Sequence, residues 1–275
     1  MPTTMRKWAW LPVLGVGIGL YFLVQSTLID TGNVNYVPSL ILLGALVVPL
    51  AFLTFVAGRT GEWQVGPFVL GIAALFGGVV GIVTAGRLEF ATLRGLGASS
   101  LIGIGLIEES CKLIVPVLIL LWQWRQGTVH VSDGLLIGVA SGMGFATLET
   151  MGYAFTALLQ SQGNIGDVEQ TLLLRGLTSP AAHMAWTGLI CGALWGAVGA
   201  RWSFAATTQL VVTFLLAVAL HALWDGVTSR FTYFLLAAIS LGWLFYELHR
   251  SNTLTWHSTP PNVRQSPRPD PNDRP

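Results

Sequence analysis

Apolar runs long enough to cross a bilayer recur along the whole chain, at about residues 8–28, 36–58, 65–86, 96–123, 132–159, 171–200, 205–228 and 231–248, with short polar connections between them. A membrane-spanning helix needs about 20 mostly apolar residues, and in lipid every backbone polar group must be paired within the helix. The pattern predicts an all-α polytopic membrane protein, a bundle of about eight transmembrane helices. Residues 1–250 read as a single transmembrane domain with its chemistry concentrated in a core over 96–228. From Ser251 to Pro275 the chain turns to Pro, Asn, Asp, Arg and Ser, a composition unable to bury enough apolar surface to order itself, so 251–275 reads as a disordered cytoplasmic tail. Residues 87–95 (RLEFATLRG) read as an interfacial segment or an ordinary loop, and 160–170 as the longest outer connection, a plain loop or a lid.

Composition agrees with that class: 53% hydrophobic and 10% charged residues exclude a soluble domain. The net charge of +1 says little, and no basic surface interleaved with aromatics points to a nucleic-acid partner. The first apolar run follows Arg6 and Lys7 with no A-x-A cleavage site after it, and reads as a retained span. Nine basic residues, among them Arg6, Lys7, Arg59, Arg125 and Arg201, fall on the N-terminal side of the bilayer, against Arg87, Arg94 and Arg230 on the other. This asymmetry predicts that both termini are cytoplasmic. Cys111 and Cys191 lie inside spans and read as small buried core residues rather than a disulfide. Cys111 stands between Glu109 and Lys112, but no His lies near it in sequence to activate it as a nucleophile.

Ionisable residues interrupt four of the apolar runs: Glu108, Glu109 and Lys112 in one, Glu149 in the next, His183 in a third, His221 and Asp225 in a fourth. A charge near the bilayer centre costs roughly 2.5 to 3.5 kcal/mol on insertion scales, so several together predict a polar interior site. Glu108 and Lys112 are four residues apart and share a helix face, as do His221 and Asp225, while Glu109 points about 100° from Glu108. In the second pair the carboxylate can fix the imidazole tautomer. With helices rising 1.5 Å per residue, Glu108 and Glu109 lie near the midplane, Glu149 and His183 roughly 5 Å outward, and His221 and Asp225 further out still. One polar cavity opening to the outer face accommodates all of them. Gly138 and Gly142 in the fifth run, with Gly188, Gly192 and Gly196 in the sixth, have the small-residue spacing that lets two helices approach closely and brings Glu149 within reach of His183.

These motifs also carry a resemblance. Glu108 to Lys112 reads EExxK, Phe145 to Glu149 reads FxxxE and His221 to Asp225 reads HxxxD, with His183 on the intervening run. The set resembles the PrsW family of bacterial intramembrane proteases, relatives of the CAAX-processing and bacteriocin-processing membrane proteases. The family pattern has Asn after the FxxxE glutamate; this chain has Thr150, and Tyr153 one turn on is the expected substitute partner for Glu149. The resemblance implies an intramembrane protease of the bacterial inner membrane, hydrolysing a peptide bond in a membrane-protein substrate within the lipid bilayer. A single-span anti-sigma factor cut near its outer end, in stress signalling, is the substrate it implies.

Hydrolysis requires a base for water, an acid for the leaving amine and donors for the oxyanion. Glu108, Glu109, His183 and His221 are the expected catalytic residues, with Glu109 or Glu108 as base and Lys112, Glu149, Asp225 and Arg175 in support. Four carboxylates and one lysine leave a charge of minus three with neutral histidines, which Arg175, protonation or a divalent cation would reduce. A Zn²⁺ ion on ligands drawn from Glu109, Glu149, His183 and His221 is chemically reasonable although no HExxH motif is present, and a metal-free glutamate mechanism is equally open. Two other classes stay in view. Each polar residue alone would serve as glue between helices, and a proton-coupled transporter would also line its path with Glu and His, with discontinuous helices and inverted repeats as its signature.

Overall fold

A computed structural model of the chain describes residues 3–61, 63–92 and 100–258. Among these the secondary structure is helical throughout: α1 (Thr3–Trp8), α2 (Trp10–Thr31), α3 (Val37–Arg59), α4 (Pro67–Thr92), α5 (Ser100–Cys111), α6 (Ile114–Gln126), α7 (Val131–Gln160), α8 (Ile165–Thr178), α9 (His183–Gly199), α10 (Phe204–Gly226) and α11 (Arg230–Ser258). Seven described segments are long and apolar enough to span a bilayer. An all-α polytopic membrane protein is therefore what the chain forms.

Two of the expected continuous spans are broken, both beside ionisable residues. The run over 96–123 divides into α5 and α6 at Lys112 and Leu113. Pro116 causes the division: it has no N–H, and its ring excludes the carbonyl four residues earlier, which belongs to Lys112. That freed carbonyl accepts a hydrogen bond from the Ser141 hydroxyl at 2.9 Å, so the break is satisfied from α7. The run over 171–200 starts earlier than expected, with α8, and is interrupted by a 3-10 turn at Ser179–Ala181 and a non-helical Ala182 (φ −103°, ψ −108°) before α9 begins at His183. The polar stretch 160–170 is thus helical, not loop, for most of its length. Ser161 to Asn164 connect, and the Asn164 side chain accepts from the Gly166 N–H to start α8. Residues 87–92 extend α4 and 251–258 extend α11; 93–99 and 259–275, including the greater part of the expected disordered tail, lie outside the described residues.

The buried core centres on α7, which is flanked by α9 on one side and α4 on the other. Its glycines explain the closeness. A Cβ at Gly138 would stand 2.8 Å from Gly188 Cα and one at Gly142 2.9 Å from Met184 Cα, while across the seam Gly188 and Gly192 receive Val139 and Leu135. Gly196 faces the tip of Val131, at the start of α7, where a Cβ would stand 3.8 Å away, so the approach is looser there. On the α4 side Gly144, not singled out in the sequence, lies directly on the Ala74 carbonyl. At the end of the bundle remote from His183, the fully buried Asp133 accepts from the Gln64 and Val65 amides (2.8 and 3.2 Å) and from Gln123 Nε2 (3.3 Å). Gln123 Oε1 in turn accepts from Trp195 Nε1 at 2.7 Å. This closed network fastens the α3–α4 connection. The last turn of α1 is tied to the same end, where Arg6 donates to the carbonyls of Thr60 and Gly61.

Candidate active site

The α5–α6 break places Lys112 at a point where its side chain turns back along α5, so that three and four residues of helix separate it from Glu109 and Glu108. Its Nζ lies 2.8 Å from Glu109 Oε1 and 3.1 Å from Glu108 Oε2. The same ammonium stands 2.7 Å from His183 Nδ1 and 4.3 Å from the centroid of the Phe145 ring. His183 occupies the first position of α9, against the surface opened by Gly142, and its Nε2 donates to Glu149 Oε2 at 2.9 Å. The expected meeting of Glu149 and His183 across the glycine seam is present.

His221 enters from α10. Its Nδ1 donates to Glu109 Oε1 at 2.8 Å, and its Nε2 stands 3.5 Å from Glu108 Oε2 and 3.4 Å from Asp225 Oδ2. Trp186, one turn after His183, packs its ring 5.2 Å from the His221 ring and is itself anchored by an Nε1 hydrogen bond to Ser240 at 2.9 Å. The aromatic wall was not singled out in the sequence, where one Trp in an apolar run carries no signal. Each imidazole is therefore held at one nitrogen by a carboxylate, fully buried Glu109 for His221 and partly buried Glu149 for His183. When that nitrogen carries the proton, the other keeps its lone pair toward the centre.

Glu149 also accepts from Arg175 Nη2 at 2.6 Å, and the Arg175 guanidinium lies over the Tyr153 ring at 3.9 Å. Tyr153 thus supports the cation that pairs with Glu149, where a hydroxyl partner was expected. Thr150, standing where the family pattern has Asn, buries its hydroxyl with no hydrogen-bond partner. Glu89 on α4 is a further acid that the sequence reading assigned to the interface or a loop. It sits within electrostatic reach of Glu108, Glu149, His221 and Lys112, and its Oε1 is buried without a partner.

Exposure rises across the cluster in one direction. The side chains of Lys112 and Glu109 are 0% exposed, Glu108 10%, Glu149 17% and Asp225 34%. The polar cluster therefore reaches the surface along Glu149 with Arg175 and along Asp225, on the side where α4, α7 and α10 end. A carboxylate at the dry end of such a gradient serves structure, and one nearer the opening can meet a reactant.

A metal requires converging donors with further groups behind them. Among the described residues, Glu108, His183 and His221 each offer a donor atom within 4.8 Å of the others. Glu109 and Glu149, expected among the ligands, instead occupy the opposite ring nitrogens of His221 and His183. Two imidazoles and a carboxylate, both imidazoles backed by acids, fit a divalent ion such as Zn²⁺ in donor type. Glu109 Oε2, buried without a hydrogen-bond partner, is in keeping with a site that has room for more positive charge.

A family model described as PrsW family intramembrane metalloprotease matches residues 39–247. No curated protein and no solved structure matches the chain.

Proposed function

The chain belongs to the PrsW family of intramembrane metalloproteases and is a membrane peptidase, and from this premise we propose how its residues divide the work. The observation that carries the reading is the paired anchoring of the two histidines, His221 by Glu109 and His183 by Glu149, with their other nitrogens directed at Glu108. Glu108, His183 and His221 would hold a divalent ion, zinc by donor type, which when bound supplies Lewis-acid polarisation of the scissile carbonyl and of water. Glu108 is the carboxylate beside the reacting atoms, since it is less enclosed than Glu109 and its Oε2 faces both histidines. Glu109, fully buried and engaged by Lys112 and His221, orients and does not react. His221, held at Nδ1 by Glu109, presents Nε2 to the ion, and Asp225, the most exposed acid of the cluster, stands beside it, placed to pass a proton to the leaving amine. Glu149, held by Arg175, keeps the His183 ring in register.

The substrate is a membrane protein, and the finer proposal is a single-span protein such as an anti-sigma factor, cut near its outer end in a bacterial inner membrane. The exposure gradient supports this, because the cluster opens on the side that the basic residues assign to the outside. The broken helices are also a device of transporters. Against that use, the acids of the site form one contiguous cluster opening toward one face, and the deeply buried Asp133 at the other end belongs to a closed network.

The test is cleavage of tagged single-span membrane proteins by detergent-purified enzyme, comparing wild type with Glu108→Gln and His221→Ala, before and after chelation and zinc readdition. Cleavage should vanish in both variants and follow zinc in the wild type. Persistence of cleavage in both variants defeats the assignment, and Glu108-dependent proton flux in liposomes without cleavage would favour transport.

A further inference from the structure

Lys112 is fully buried, and its ammonium group touches two of the three groups assigned to the metal: Glu108 Oε2 at 3.1 Å and His183 Nδ1 at 2.7 Å. Its third partner, Glu109 Oε1 at 2.8 Å, is not one of them. An ammonium has three donors and no acceptor, so it needs the same lone pairs that a metal needs. With metal–nitrogen and metal–oxygen distances of about 2.0 to 2.2 Å, an ion on Glu108 and His183 would stand almost against the Lys112 nitrogen. The two cations cannot share these donors.

We propose that Lys112 is an intrinsic competitor for the metal site: its ammonium occupies the Glu108 and His183 donors when the metal is absent and withdraws to Glu109 when the metal binds. The inference rests on the ion assignment made above and concerns what regulates loading of that site. Several consequences follow from charge alone. The empty site is never an uncompensated cluster of acids, so the fold does not depend on metal. Metal binding becomes an exchange of one cation for another, which lowers affinity and makes loading reversible. Glu109 keeps its cation in both states and continues to orient His221.

The chain contains two lysines, Lys7 and Lys112, so ¹⁵Nζ-lysine NMR spectra of the detergent-solubilised wild-type protein give one signal for each. Zinc titration should shift the Lys112 signal and leave Lys7 in place. In parallel, zinc affinity is measured by competition with a fluorescent chelator for wild type, Lys112→Met, Lys112→Arg and His221→Ala. Lys112→Met should bind roughly tenfold or more tightly, the scale on which one buried neighbouring charge acts, while Lys112→Arg should not gain. Zinc binding that leaves the Lys112 signal unmoved, or a Lys112→Met affinity equal to or below wild type, overturns the competition but leaves the ion assignment standing. His221→Ala binding zinc as well as wild type, or wild type binding none, overturns the ion assignment and the competition with it. The wild-type spectrum decides the matter even if the Lys112 variants do not fold.

Discussion

Glu108 and Glu109 are adjacent in sequence yet live in different surroundings, and their substitutions should separate accordingly. Removing Glu109 leaves the Lys112 ammonium short of a partner and the His221 Nδ1–H without an acceptor, both in the dry interior. Breaking a buried ion pair from one side costs about 3–5 kcal/mol, so Glu109→Ala should unfold at markedly lower denaturant or temperature. Glu108→Gln should cost much less stability while removing cleavage, a split read by comparing unfolding with activity. The residue identities of this site were legible in the sequence because an ionisable group in an apolar run has few bland explanations. Their division of labour was not. Helical spacing sets Lys112, three and four residues on, near both acids, but it does not say which acid the histidines of α9 and α10 engage. Arg175 and Tyr153 show the same limit: both were named, but their stacking arises from α8 folding back over α7, which no local pattern encodes.

At the scale of the elements, hydrophobic length foretold where the chain crosses the membrane and concealed where it breaks. Pro116 and Pro180 were the available signals, since each removes a backbone donor and disfavours helix just before it. Apolar continuity over the same stretches pointed the other way. Both breaks depend on neighbours for satisfaction. Ser141→Ala would leave the Lys112 carbonyl unpaired in the interior, at a cost of about 1–3 kcal/mol, and should displace Lys112 enough to lower activity as well. The measurement is thermal unfolding with cleavage on the same preparation, and Ser141→Thr, which keeps the hydroxyl, is the matched control. The glycine seam of α7 and α9 was legible as spacing; the contact of Gly144 with α4 was not, because a lone small residue has no periodicity.

For the whole molecule, the sidedness inferred from basic residues yields a direct test. The native cysteines Cys111 and Cys191 are buried and should give little background. In intact cells a membrane-impermeant thiol reagent should label Gln162→Cys, on the α7–α8 connection, and should reach Arg125→Cys, near the end of α6, only after permeabilisation. The opposite pattern would invert the topology and place the site's opening in the cytoplasm. The global arrangement was legible as a helical bundle with one polar centre; the central place of α7 was not, since that depends on which helices surround it.

The spacing of Lys112 from its acids also bears on how such a chain is made. Glu108 and Glu109 meet their cation on the same short segment, three and four residues away. When this segment leaves the ribosome and partitions into lipid, it carries its counter-charge with it, before α7, α9 or α10 has been synthesised. Glu149 has to wait for Arg175, 26 residues later in the chain, and so enters the bilayer with its charge unmatched until α8 arrives. Biogenesis of this protein should be most sensitive to delay in that interval of synthesis, between the emergence of α7 and that of α8.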